Sequence, residues 1–60
     1  MPVVTVEMWE GRSVEAKKKL AKDITRVIAE DAQCSESAVI VMFRDIAKYN
    51  WSEAGKLAVD

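Results

Sequence analysis

The sequence predicts an α/β fold built from a single strand–helix–strand unit. Three observations predict it. A β-branched run, Val3-Val4-Thr5-Val6, stands near the N-terminus, an apolar stripe at helical spacing follows it, and a second apolar run occupies Ala38-Val39-Ile40-Val41-Met42-Phe43. Strand, helix and strand in that order give one βαβ unit with a parallel pair of strands and a right-handed crossover.

The first strand is read over Met1 to Trp9. Its β-branched residues suit a pleated surface, and Pro2 lies at the edge, where a missing N–H does little harm. Alternation puts Val4, Val6 and Met8 on one face and Thr5, Glu7 and Trp9 on the other. Glu10-Gly11-Arg12 ends the strand, with Gly11 supplying the turn. Ser13 is an N-cap, and Glu15 falls in the first turn, where the helix dipole favours a negative charge. The helix then runs to about Ala32. Ala16, Leu20, Ile24, Val27 and Ile28 form its apolar stripe. Lys17, Lys18, Lys22, Arg26 and Glu30 are expected on the wet side. Glu15–Lys19, Lys19–Asp23 and Arg26–Glu30 are opposite charges four apart, each adding about 0.3 kcal/mol. No glycine caps the helix near Gln33, and Ser35-Glu36-Ser37 reads as a tight turn.

The run Ala38 to Phe43 is too short for a helix and rich in β-branched residues. It has the pattern of a parallel strand buried on both faces. One helix covers only one face of a two-stranded sheet, so the other face and both edges call for another chain. Left exposed, such a run is an aggregation hazard. From Asp45 to Asp60 there is no strong periodicity, although Tyr49-Asn50-Trp51 followed by Gly55 suits a short hairpin or an arm reaching a neighbour.

Composition bounds the function. With 60 residues there is one domain, 1–60. A chain of this size buries only about 60% of the surface its unfolded form exposes, so it relies on cross-links, metal or self-association. Cys34 is the one cysteine and histidine is absent, which removes an intrachain disulfide and the usual zinc patterns. Half the residues are hydrophobic, which favours self-association. A net charge of −1 with no clustered basic face argues against nucleic acid as a partner. Lys17-Lys18-Lys19 reads as a solvated helix face. No stretch has the length of a membrane span or the pattern of a signal peptide, so a reducing cytoplasm is the expected compartment.

Few residues are equipped for chemistry. There is no nucleophile–histidine pair, phosphate loop or dinucleotide fingerprint. Pro2 is the unusual candidate. Initiator methionine is normally trimmed ahead of so small a residue, and trimming turns an inert tertiary amide into a secondary amine with a lone pair. An α-amino group titrates near pKa 7.7–8.0, and apolar burial or nearby cations lower it further. That places it where general acid–base transfer is efficient. Arg12, after the glycine turn, has the fork geometry to grip a carboxylate. Trp9 and Trp51 offer apolar walls. Cys34 has no base beside it to make it a nucleophile. Glu7, Glu10 and Asp45 are acids that no spacing singles out. Taken one at a time, Pro2 reads as a chain start and Arg12 as a surface residue.

Taken together, they resemble a known family. The opening Met-Pro-Val-Val-Thr-Val-Glu-Met-Trp-Glu-Gly-Arg-Ser, the amphipathic helix, the strand Val39–Phe43 and the ending Trp51 to Leu57 are similar to the 4-oxalocrotonate tautomerase family over nearly the whole chain. The resemblance implies a βαβ subunit with a short C-terminal hairpin, and dimers with a four-stranded sheet assembled as a trimer of dimers, hence a homo-oligomer. It implies cofactor-free keto–enol tautomerisation of 2-hydroxymuconate-like acids from aromatic-ring breakdown. Pro2 would carry the proton, Arg12 would bind a substrate carboxylate and draw electron density, and Trp51 would keep the proline site apolar where phenylalanine is usual. Trp9 stands where a leucine is usual. Ile40 stands where the family has a second, substrate-binding arginine. That departure points to a smaller or monoacid substrate, to a mixed oligomer whose partner subunit supplies the cation, or to a promiscuous member. Two other readings stay open: hydration, dehalogenation or decarboxylation begun by Pro2, and a non-catalytic oligomeric subunit.

Overall fold

The computed structural model describes residues 1–60. Strand β1 spans Val3–Trp9, helix α1 Val14–Ala32 and strand β2 Ile40–Ile46. A C-terminal hairpin of β3 (Ser52–Glu53) and β4 (Lys56–Leu57) follows. Single 3-10 turns occupy Glu36–Ala38 and Lys48–Asn50. The βαβ unit and hairpin are as the sequence and the resemblance led one to expect.

β1 and β2 pair in parallel, from Val3 beside Ile40 to Trp9 beside Ile46. Alternation sorts their side chains. Val4, Val6, Met8, Val41 and Phe43 are half-buried on the covered face. Val3, Thr5, Glu7, Trp9, Ile40, Met42 and Arg44 stand exposed on the other. The second strand departs from the predicted run Ala38–Phe43 at both ends, starting at Ile40 and continuing to Ile46. It starts at Ile40 because Ala38 and Val39 donate their N–H groups to the carbonyls of Ser35 and Glu36, closing the 3-10 turn. Within one subunit it alternates, with Ile40 40% and Met42 47% exposed on the face expected to need another chain. One helix has only one face to offer them.

Local chemistry sets the helix ends. The Ser13 Oγ accepts a hydrogen bond from the Ala16 N–H at 3.1 Å, satisfying one orphan donor of the first turn. At the other end Gln33 takes the left-handed conformation (φ 56°) that glycine usually supplies. Its N–H and that of Cys34 both reach the Ala29 carbonyl.

The charge pattern is only partly as expected. Lys19 pairs with Asp23 at 2.8 Å, but Glu15 and Glu30 close no ion pair, and Arg26 leans to Asp23 at 3.9 Å instead of Glu30. The hydrogen bond and charge of Lys19, with smaller help from Arg26 and Lys22, hold the Asp23 carboxyl below its usual value. That contribution is present at neutral pH and is lost as pH falls through the lowered pKa. Lys17 corrects the expectation of a wet face. It lies one turn before half-buried Leu20 and Ala21, at the margin of the stripe, and its Nζ reaches Asp45 Oδ2 at 2.6 Å. Asp45 sits beside Met8 on the covered face, so this pair ties the start of α1 to the end of β2. Val27, expected in the stripe, is 45% exposed.

The interior is thin. Ala29 is the single buried residue, and the accessible surface is 4689 Å², where a folded 6.7 kDa monomer exposes about 3,900 Å². The radius of gyration, 14.4 Å, exceeds the roughly 10 Å of a compact chain of this length. The subunit is a slab, 43 × 24 × 13 Å.

The hairpin turn has Ala54 and Gly55 both at positive φ (53° and 80°), the combination a two-residue turn needs to match strand twist. Glycine adopts it freely and alanine does not. Two substitutions check these local terms by urea denaturation. Ser13→Ala should destabilise by about 1 kcal/mol through loss of the cap. Ala54→Asn, which tolerates the left-handed conformation, should leave stability unchanged or raise it by a few tenths of a kcal/mol.

Candidate active site

The parallel ladder sends the candidate residues to opposite ends of the sheet. Pro2 and Ile40 lie at the end where both strands begin. Trp9, Arg12 and Trp51 lie where they finish. Pro2 and Trp9 are seven residues apart on an extended strand, about 23 Å. One subunit therefore does not bring its own candidates together.

At the first end the Pro2 carbonyl accepts the Ile40 N–H at 3.0 Å, extending the ladder one step before β1. The ring is half-buried, while Met1 is 88% exposed. The backbone thus holds Pro2 in place and leaves the residue before it in solvent. The strand neighbours of Pro2 are uncharged: no charged residue occurs in Pro2–Val6 or Val39–Phe43, and Val3, Ile40 and Met42 are exposed on the face opposite the one that alternation gives Pro2.

At the second end the Glu10 N–H bonds the Ile46 carbonyl at 3.1 Å, prolonging the pairing past Trp9. Gly11 then turns the chain at φ 115°, a value that disfavours any side chain, and Arg12 follows. Arg12 is exposed and pairs with no carboxylate of this chain. Its guanidinium is left for an external acid. Trp9 and Trp51 meet edge to face, with ring centroids 5.9 Å apart at 75°. Such a pair adds about 0.5–1.5 kcal/mol beyond its buried area. The Lys48 Nζ sits 4.8 Å from the centroid of a Trp9 ring.

Lys48 is the residue at this end that sequence reasoning missed. The sequence carries no local signal for it, because the indole it meets belongs to Trp9, on the first strand. Among the acids, Asp45 is engaged by Lys17, Glu7 stands beside Arg44 on the open face without an ion pair, and Glu10 is exposed. None is at the Pro2 end. Cys34 is a half-buried free thiol.

The fold and these two ends define a class: small βαβ proteins with a second-residue proline at one end of a parallel pair and a glycine-arginine turn at the other. Comparison with known proteins agrees. A family model described as tautomerase enzyme matches residues 2–60. A 2-hydroxymuconate tautomerase of Bacillus subtilis is 37% identical over 60 residues, covering 100% of this chain and 97% of that protein. The solved YwhB homologue of 4-oxalocrotonate tautomerase superposes with a TM-score of 0.94 at 36% identity, over 98% of this chain and 97% of the other. A heterohexameric 4-oxalocrotonate tautomerase from Chloroflexus aurantiacus shares the fold, with a TM-score of 0.95 at 23% identity over 100% and 97% of the two chains. The chain belongs to the tautomerase family, in its 4-oxalocrotonate tautomerase group, and is an enzyme of the isomerase class.

If the indole pair orders the second end, Trp51→Ala should erase most of the near-ultraviolet circular dichroism. The far-ultraviolet helix signal should stay within about a tenth of the parent, since the hairpin adds little regular structure.

Proposed function

We propose that this chain is a cofactor-independent keto–enol tautomerase of 2-hydroxymuconate-like unsaturated acids, with the Pro2 amine as proton carrier once Met1 is removed. The observation that carries the reading is the state of Pro2. Its carbonyl is tied into the ladder by Ile40, its flanks are apolar, and the residue before it projects into solvent. Removing Met1 leaves a ring nitrogen whose direction the backbone already fixes.

The reaction is an isomerisation, so every proton is returned. The Pro2 nitrogen takes the proton of the 2-hydroxyl group. The O–H electron pair becomes the carbonyl π bond, and the conjugated π electrons move along the chain. A distal carbon then takes the proton back from the ring nitrogen. An amine with a pKa near neutrality can perform both halves. Apolar neighbours disfavour its charged form, which keeps a fraction of it basic in neutral water. Arg12 supplies a bidentate grip for a carboxylate and attracts the charge that develops along the conjugated system.

The separation of the two ends supports a site shared between copies. About 23 Å divides Pro2 from Trp9, whereas a six-carbon diacid spans roughly a third of that. The Arg12, Trp9 and Trp51 of one copy would meet Pro2 and Ile40 of another. The exposed row of Val3, Ile40 and Met42, together with the excess accessible surface, supports self-association of this single cytoplasmic domain. A mixed assembly with a different subunit would complete the site in the same way.

Two measurements test the proposal. Followed by ultraviolet absorbance with 2-hydroxymuconate, Pro2→Ala should lower kcat/KM by about 10²-fold or more. Protein that keeps Met1 should be inactive, because its ring nitrogen is an amide. Equal rates for the trimmed and Met1-bearing forms would end the mechanism. Native mass spectrometry should report several copies per particle, and an active monomer would rule out the shared site.

A further inference from the structure

We propose that Lys48 is a second substrate-binding cation, gripping a substrate carboxylate at the same end of the sheet as Arg12. This rests on the tautomerase reading above and assigns a residue that reading does not use.

The argument starts from register. Trp9 and Ile46 are the last partners of the parallel pair, and Glu10 still bonds the Ile46 carbonyl. The two strands end there about 4.8 Å apart, before Gly11 turns one chain and the 3-10 turn at Lys48 turns the other. Arg12 is three residues past Trp9, and Lys48 two residues past Ile46. Two cations therefore emerge at matching places beyond the same end. Neither forms an ion pair with any acid of the chain, although Lys17 and Lys19 both do.

Lys48 is also directed. Its Nζ lies 4.8 Å from a Trp9 ring centroid, and Trp9 is in turn braced edge-on by Trp51. An ammonium over an indole face is attracted by the ring quadrupole while its outward N–H donors stay free. Holding the long side chain there reduces the rotamer entropy that binding would otherwise cost. At the opposite end of the sheet, by contrast, no lysine or arginine occurs in the strand segments Pro2–Val6 and Val39–Phe43. Positive charge for a substrate carboxylate is thus gathered where the strands end. A carboxylate keeps its charge from ground state to transition state, so Lys48 acts chiefly on binding and its loss should appear in KM.

The test uses the assembled protein with Lys48→Gln and Lys48→Arg. Binding is measured by calorimetry with cis,cis-muconate, an unsaturated diacid with no enol proton to transfer, and turnover with 2-hydroxymuconate. Lys48→Gln should weaken muconate binding by about tenfold, the scale of one charged hydrogen bond. It should raise KM similarly and leave kcat within about threefold. Lys48→Arg should recover most of that loss, and added salt should weaken the parent more than Lys48→Gln. Near-ultraviolet circular dichroism and native mass, unchanged in both variants, separate a lost charge from a disturbed Trp9–Trp51 pair. Muconate binding by Lys48→Gln equal to the parent's, or Lys48→Arg as weak as Lys48→Gln, overturns the assignment. Binding that follows the charge at position 48 while the parent turns nothing over would uphold Lys48 and sink the Pro2 mechanism instead. A parent that does not bind muconate overturns the Lys48 assignment, and the Pro2 mechanism then stands or falls on turnover of 2-hydroxymuconate alone.

Discussion

The parallel pairing of β1 with β2 is the constraint on which everything else rests. Parallel strands need a crossover, and the crossover is α1, which occupies one face of the sheet. The C-terminal segment meets the other face at Trp9, through Trp51, and leaves Val3, Ile40 and Met42 exposed. A hydrophobic content of one half is therefore set against a single buried residue, Ala29. The same pairing fixes the polarity of the ends, since both strands begin together and finish together. Pro2 and Ile40 are neighbours for the same reason that Arg12 and Lys48 emerge together.

That polarity divides the chemistry. The starting end is apolar and suits a group that must shed a proton to be useful. The finishing end holds unpaired cations and two indoles, which suit a negatively charged, planar molecule. Within the subunit, the ion pair of Lys17 with Asp45 fastens the helix start near the second of these ends. It also occupies the one carboxylate on the covered face of β2, which would otherwise be free to compete for nearby cations.

Much of the fold was legible because its signals are local. Val3 to Val6, the Ser13 cap and the run through Phe43 each name their element without help from the rest of the chain. The misses were contextual. Gln33 ends the helix by adopting a conformation that sequence rules reserve for glycine, held there by two N–H groups on the Ala29 carbonyl. β2 continues through Arg44 and Asp45 because partners on β1 extend to Trp9, which no inspection of the apolar run alone could reveal. Lys17 looked solvated because its partner lies 28 residues away. For the candidate site, Pro2, Arg12 and Trp51 were legible as residues and through resemblance, but their separation was not, since it follows from strand direction and length. Lys48 went unnoticed because a lysine gains meaning here only from the indole under it.

The placement of Pro2 and Arg12 at opposite ends of the sheet has a genetic consequence. In the proposed arrangement, with sites shared between identical copies, one gene writes both halves of every pocket. A change at position 40 would then alter the proposed proton-carrying half of all of them at once, and a change at position 12 or 48 would alter all the proposed anion-gripping halves. Neither half can be tuned in some pockets and spared in others. Duplication of the gene would lift that coupling, letting one copy specialise in holding the acid and the other in moving its proton.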